Sequence, residues 1–241
     1  MSSSDQQYAA SNSQALPDGA YLIAGVLMTE KGQVSQLQRD QIKIYSNGRF
    51  MYAFNNAMTG NIDVGGGMAS WRAGVMVEVP RVNHDGPLDG LSFDVAIKQT
   101  VTGFEQTILG FRYDDGRVVD MVEDWHVVST ARSDFDGLWQ LETSSKDGVE
   151  ISGVAETKMI GGGHFIWLRN GTRDGQPEQD FAFGPWTIDK AGHASEEISI
   201  SARKDRQGSV YPMRLELINK DCFVQTSLTD TGLLTQSFKR I

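Results

Sequence analysis

Two glutamates and a tyrosine carry the spacing that acid–base chemistry inside a β-structure would need. Side chains at i and i+2 of a strand share a face, so Glu123 points the same way as Trp125, and Tyr52 the same way as Phe50 and Phe54. A carboxyl held against aromatic rings has its ionised form disfavoured and can exchange a proton near neutral pH. Glu78 joins them because another glutamate, Glu196, stands at the corresponding place later in the chain. Glu123, Glu78 and Tyr52 are therefore the candidate proton-transfer groups. A purely structural reading competes: Arg112 shares parity with Phe104, Gln106 and Ile108 and would pair with either carboxylate.

In the second half Phe165, Trp167 and Arg169 share a face, which puts a guanidinium where the first half has an aromatic ring. An inward guanidinium needs a carboxylate, either from Glu196, which shares parity with Ile198 and Ile200, or from a ligand. Gln106 and Gln225 read as internal hydrogen-bonding groups. Trp71, Trp125, Trp167 and Trp186 read as core residues and as the apolar lining of any cavity.

Other chemistries find no support in the residues. The single cysteine, Cys222, and four scattered histidines offer neither a disulfide nor metal-ligand spacing, and no P-loop, dinucleotide fingerprint or Ser-His-Asp set is present. No cofactor and no metal are expected. A formal net charge of -9 disfavours nucleic acid and anionic membrane surfaces as partners. No apolar run reaches the ~18 to 20 residues of a membrane-spanning helix. Residues 1–15 are polar and of low complexity, lacking a basic start and apolar centre, and read as a disordered tail. That start points to the cytoplasm, unless a signal has already been removed.

These groups need a frame to bring them together, and an internal repeat supplies one. Residues 41–55, QIKIYSNGRFMYAFN, align without gaps on residues 156–170, ETKMIGGGHFIWLRN. Lys43 then falls on Lys158, Phe50 on Phe165 and Tyr52 on Trp167. The same spacing sets Trp71 on Trp186. Slightly different spacings set Asp18-Gly19 on Asp136-Gly137, Glu78 on Glu196, Phe104 and Gln106 on Phe223 and Gln225, and Trp125 on Phe238. Within each copy apolar residues alternate with period two, as in Leu91, Phe93, Val95 and Ile97. Ser46-Asn47-Gly48 and Gly161-Gly162-Gly163 read as hairpin turns. A short helix is plausible over residues 33–40. The pattern predicts an all-β chain of two tandem antiparallel up-and-down β-barrels, over residues 16–130 and 131–241, with a β-sandwich as the competitor.

Each copy opens on an Asp-Gly-x-aromatic element, DGAYLI and DGLWQL, and continues with a lysine-bearing strand and an F-x-[YW] strand. The first copy ends in VEDWHVV. This order of motifs resembles small bacterial lipocalin-like domains of the calycin superfamily, and spans about residues 16–241. The resemblance implies calycin-like barrels with an interior cavity, and a Trp139 that plugs one end of its barrel. The expected function is binding of a small, mostly apolar or aromatic molecule, with or without a carboxylate. The alternative is a cofactor-independent isomerase, cyclase or lyase working through the carboxylates and tyrosine of the first barrel. A homodimer is compatible with either.

Overall fold

The computed structural model describes Leu16 and residues 18–56, 62–72, 74–113, 115–173 and 176–241. The tail expected over residues 1–15 lies outside them. Ten strands come from the first copy: β1 (Gly19–Glu30), β2 (Gln33–Leu37), β3 (Gln41–Ser46), β4 (Arg49–Asn55), β5 (Ile62–Arg72), β6 (Val75–Asn83), β7 (Gly86–Pro87), β8 (Phe93–Gln99), β9 (Gly103–Arg112) and β10 (Val118–Ser129). Ten more follow: β11 (Gly137–Lys146), β12 (Val149–Glu150), β13 (Ala155–Gly161), β14 (His164–Arg173), β15 (Gln176–Ile188), β16 (His193–Glu197), β17 (Ile200–Ser201), β18 (Val210–Asn219), β19 (Cys222–Thr229) and β20 (Gly232–Arg240).

In each copy eight strands run around a closed antiparallel barrel. The first closes in the order β1, β3, β4, β5, β6, β8, β9, β10 and back to β1, with β2 and β7 as short additions. The second repeats it as β11, β13, β14, β15, β16, β18, β19, β20 and back to β11. Closure leaves no free ladder within either eight-strand ring, which is how an antiparallel sheet removes its edges. The chain is thus all-β, with two tandem up-and-down barrels. Even a bulge is duplicated, between Ile23 and Gly25 on β1 and between Leu141 and Thr143 on β11.

The segment expected to be helical near residue 33 is a strand. Lys31 and Gly32 both adopt positive φ (49° and 79°) and turn the chain back, so that β2 pairs with β1 from Glu30↔Gln33 to Val26↔Leu37. That local turn leaves no room for a helix start.

Each barrel has its own apolar core, and a third cluster joins them. Inward residues of the first include Tyr21, Tyr45, Phe50, Phe104 and Trp125; those of the second include Trp139, Phe165, Phe223 and Phe238. The joining cluster comes from outward-facing residues: Ile42, Ile44, Met51, Ala53 and Val64 against Leu138, Met159, Ile166, Leu168, Phe181 and Phe183. This explains why all six residues of β3 are buried, its outer face being covered by the other barrel. The glycine turn after β13 serves that contact as well. A Cβ on Gly162, whose φ is +60°, would lie 2.2 Å from the backbone nitrogen of Ala20.

Candidate functional site

The centre of each barrel is crossed by a buried lysine that sequence reasoning used only as a repeat marker. Lys43 leaves β3 inward, 3% exposed, and its Nζ lies 2.7 Å from Glu78 Oε1 on β6 and donates to Gln106 Oε1 on β9 at 2.9 Å. It sits 5.3 to 5.8 Å from the ring centroids of Tyr45, Phe50 and Trp125. Lys158 repeats the arrangement, donating at 2.9 Å to both Glu196 Oε1 and Gln225 Oε1. An ammonium so placed is neutralised by the carboxylate and saturated by the amide, which is what makes its burial tolerable. The recurrence of a lysine between Ile42 and Ile44, and again between Thr157 and Met159, was the signal for it.

Glu78, Glu123, Tyr52, Gln106 and Trp125 all line the interior of the first barrel. Glu78 accepts a short hydrogen bond from the Tyr45 hydroxyl in addition to its contact with Lys43. Glu123 accepts from Trp125 Nε1 at 3.1 Å and lies 3.9 Å from an Arg39 guanidinium nitrogen. Tyr52 donates to Asp63 Oδ1 at 3.2 Å. Burial first, and then the neighbouring carboxylates, hold the Tyr45 and Tyr52 phenols well above the ordinary tyrosine range. Both phenols are therefore hydrogen-bond donors at neutral pH.

Arg112 is not part of this interior. The β9 and β10 ladders slip between Val119 and Met121, and Gly110 takes φ +64° with its N–H on Asp120. The slip reverses the strand's facing, so Phe111 pairs with buried Val119 while Arg112 is exposed beside Val118. Arg39 approaches Glu123 in its place, and its guanidinium stacks 4.8 Å over Phe54. Arg169 also has a partner other than the one expected. It chelates Glu156 on the neighbouring strand at 2.6 and 2.8 Å, because Lys158 already holds Glu196. Burial raises the Glu156 carboxyl, but the charges of Arg169 and Lys158 and the Arg169 hydrogen bonds outweigh it and keep the group below the usual carboxylate range.

The sheet register changes one repeat match. Trp186 pairs with Glu196 across β15 and β16, while in the first barrel it is Ala69 that pairs with Glu78. Trp186 therefore corresponds to Ala69, and Trp71 to Ile188, two residues from the alignment read off the sequence. Trp71 is half-buried at the rim, whereas Trp186 is buried against Phe135 and carries an indole N–H with no hydrogen bond. Where Ala69 replaces the indole, a cavity of about 200 Å³ opens, lined by Leu16, Tyr45, Ala69, Trp71 and Met76 with Asp18, Gly48 and Arg49 at its rim.

No protein-family model matches the chain, and no curated protein sequence matches it. Among solved structures it is similar to a protein of unknown function from the DUF3598 family of Nostoc punctiforme PCC 73102. The two are 11% identical, with a TM-score of 0.28, over 92% of this chain and 96% of that one.

Burial pushes the Glu123 carboxyl up, against the opposing pull of Lys43, Arg39 and the Trp125 N–H. A carboxyl whose folded-state pKa exceeds its unfolded value contributes stability that is full below the unfolded value and lost as pH rises through the folded one. The second barrel carries Gln236 at this place, opposite Gln225 as Glu123 is opposite Gln106. Glu123→Gln is therefore expected to keep the fold, remove that fall in stability, and leave the variant at least as stable as the parent at pH 7. Urea unfolding measured from about pH 4 to pH 8 checks this. A loss beyond about 1 kcal/mol at pH 7 would mean that the ionised carboxylate is a net stabilising partner.

Proposed function

We propose that the chain is a calycin-like small-molecule-binding protein and that its first barrel takes a flat, mostly apolar or aromatic ligand in the cavity beside Ala69. The observation that carries the reading is internal. One barrel fills this position with the indole of Trp186, and the other leaves it open beneath Trp71 and Met76. Pockets for drug-sized ligands run to roughly 300 to 1,000 Å³, and a cavity near 150 Å³ holds benzene. About 200 Å³ therefore suits one ring system, and indole itself is the natural probe.

Indole is expected to bind the parent protein in a calorimetric titration and to lose binding in Ala69→Trp. That variant should stay folded, because the second barrel accommodates tryptophan at the corresponding place. Equal indole affinity in parent and variant would remove the cavity from consideration.

A second reading, acid–base chemistry in the same barrel, is favoured by the convergence of Glu78, Glu123 and Tyr52 around Lys43. The Tyr52 phenol is disfavoured from ionising by both carboxylates, so all three share one electrostatic environment. In that reading Glu123→Gln keeps ligand affinity and abolishes turnover, since an amide does not exchange a proton at neutral pH.

A further inference from the structure

The opposite end of the first barrel, where β3 begins and β4 ends, differs from its counterpart in how its acids are neutralised. In the second barrel Glu156 is chelated by Arg169, and Asp180 Oδ2 lies 2.7 Å from the Arg206 guanidinium. Both guanidinium groups flank the Trp167 ring, at 5.3 and 6.0 Å from its centroid. By register Glu156 corresponds to Gln41, Trp167 to Tyr52, Arg169 to Phe54 and Asp180 to Asp63. The first barrel thus keeps an acid and a ring, but Phe54 stands for Arg169, and the guanidinium of Arg39 lies over that phenylalanine instead of chelating an acid.

What remains there is short of donors. Among the described residues Asp63 makes no ion pair with an arginine; it accepts from Tyr52, and His84 Nδ1, a buried nitrogen without a hydrogen bond, stands 3.9 Å away. Glu123 accepts from Trp125 Nε1 on one oxygen, and on the other it has Arg39 at 3.9 Å, beyond hydrogen-bond reach. Gln41 is 5% exposed and its Oε1 has no hydrogen-bond partner, while its counterpart Glu156 receives both Arg169 bonds on Oε2. Lys43 is held at 2.7 Å by Glu78 and reaches Glu123 only as a more distant charge.

We propose that this end of the first barrel binds a small organic cation, an ammonium or guanidinium on a short apolar stem, between Asp63 and Glu123, with Gln41 Oε1 as a further acceptor and the Tyr52 ring beside it. The Arg169 guanidinium of the second barrel shows the chemistry such a site accepts: charge-assisted hydrogen bonds to a carboxylate and a ring face for the cation. Burial raises both the Asp63 and the Glu123 carboxyl, outweighing His84, Tyr52 and Arg39 at the first and Lys43, Arg39 and Trp125 at the second. Arg39, stacked on Phe54 and without a hydrogen bond to Glu123, is the occupant that a ligand displaces. The site lies at the far end of the barrel from the cavity beside Ala69 and does not depend on it.

The test is calorimetry of the full chain with benzylammonium and, as its oppositely charged match, phenylacetate. Benzylammonium is expected to bind and phenylacetate not to. The isosteric double variant Asp63→Asn/Glu123→Gln should weaken benzylammonium by about tenfold or more, the worth of one charge-assisted hydrogen bond. Arg39→Ala should strengthen it several-fold by removing the competitor, and this arm holds even if the double variant fails to fold. Ala69→Trp should leave it unchanged, which separates this site from the indole cavity. Absence of binding, equal binding of the two probes, unchanged affinity in the folded double variant, or weaker binding in Arg39→Ala would each overturn the proposal.

Discussion

Lys43→Ala is expected to lower the unfolding free energy by about 3 to 5 kcal/mol, the cost of stripping one partner from a buried ion pair. The ammonium lies 2.7 Å from Glu78, and both groups are almost wholly inaccessible. Without it the Glu78 carboxylate keeps only the Tyr45 hydroxyl, and Gln106 Oε1 loses its donor. The loss should shrink towards pH 4, because an unpaired buried glutamate takes up its proton more readily when folded, and that stabilising contribution disappears as pH rises. Lys43→Met combined with Glu78→Gln should recover most of the loss, since no uncompensated charge is left inside. Urea titrations of the single and double variants, with exposed Lys98→Ala as control, read this directly. If Lys43→Ala cost no more than Lys98→Ala, the pair would not be a structural centre of the barrel.

Trp186→Ala should open in the second barrel what Ala69 leaves open in the first. Removing a buried indole that packs against Phe135 costs about 3 to 5 kcal/mol, transfer and cavity terms together. Added indole should then restore part of the stability, since a ligand that binds only the native state stabilises by about 2.7 kcal/mol at a hundred times its Kd. In an Ala69→Trp background the first barrel no longer contributes, so a dose-dependent rise in melting temperature reports the second barrel alone. A cost under about 1 kcal/mol, or no response to indole in that background, would mean that the surrounding strands collapse into the space.

The two substitutions rest on different kinds of information. That Lys43 and Lys158, Glu78 and Glu196, and Gln106 and Gln225 are equivalent pairs was legible from the repeat and from period-two alternation, because both are local signals along a strand. The barrels, the Asn47-Gly48 hairpin and the convergence of Glu78, Glu123 and Tyr52 on one interior follow from the same signals. Which side chain meets which across the sheet does not. Register depends on bulges, and a single slip reverses a strand's facing: at Gly110 it sends Arg112 outward and leaves Arg39 to approach Glu123. A two-residue shift on β15 preserves parity, so alternation alone could not tell that Trp186 stands for Ala69. Nor could alternation choose between Glu156 and Glu196 for Arg169, since that depends on Lys158 having taken one of them. Alternation and the repeat carried the strand pattern apart from β2, the duplication, and the inward glutamates and glutamines, but not the inward lysines or the outward turn of Arg112. Only the tertiary structure decided their pairing, the covered outer face of β3 and the difference between an open and a filled barrel end, because these arise from contacts between residues far apart in the chain.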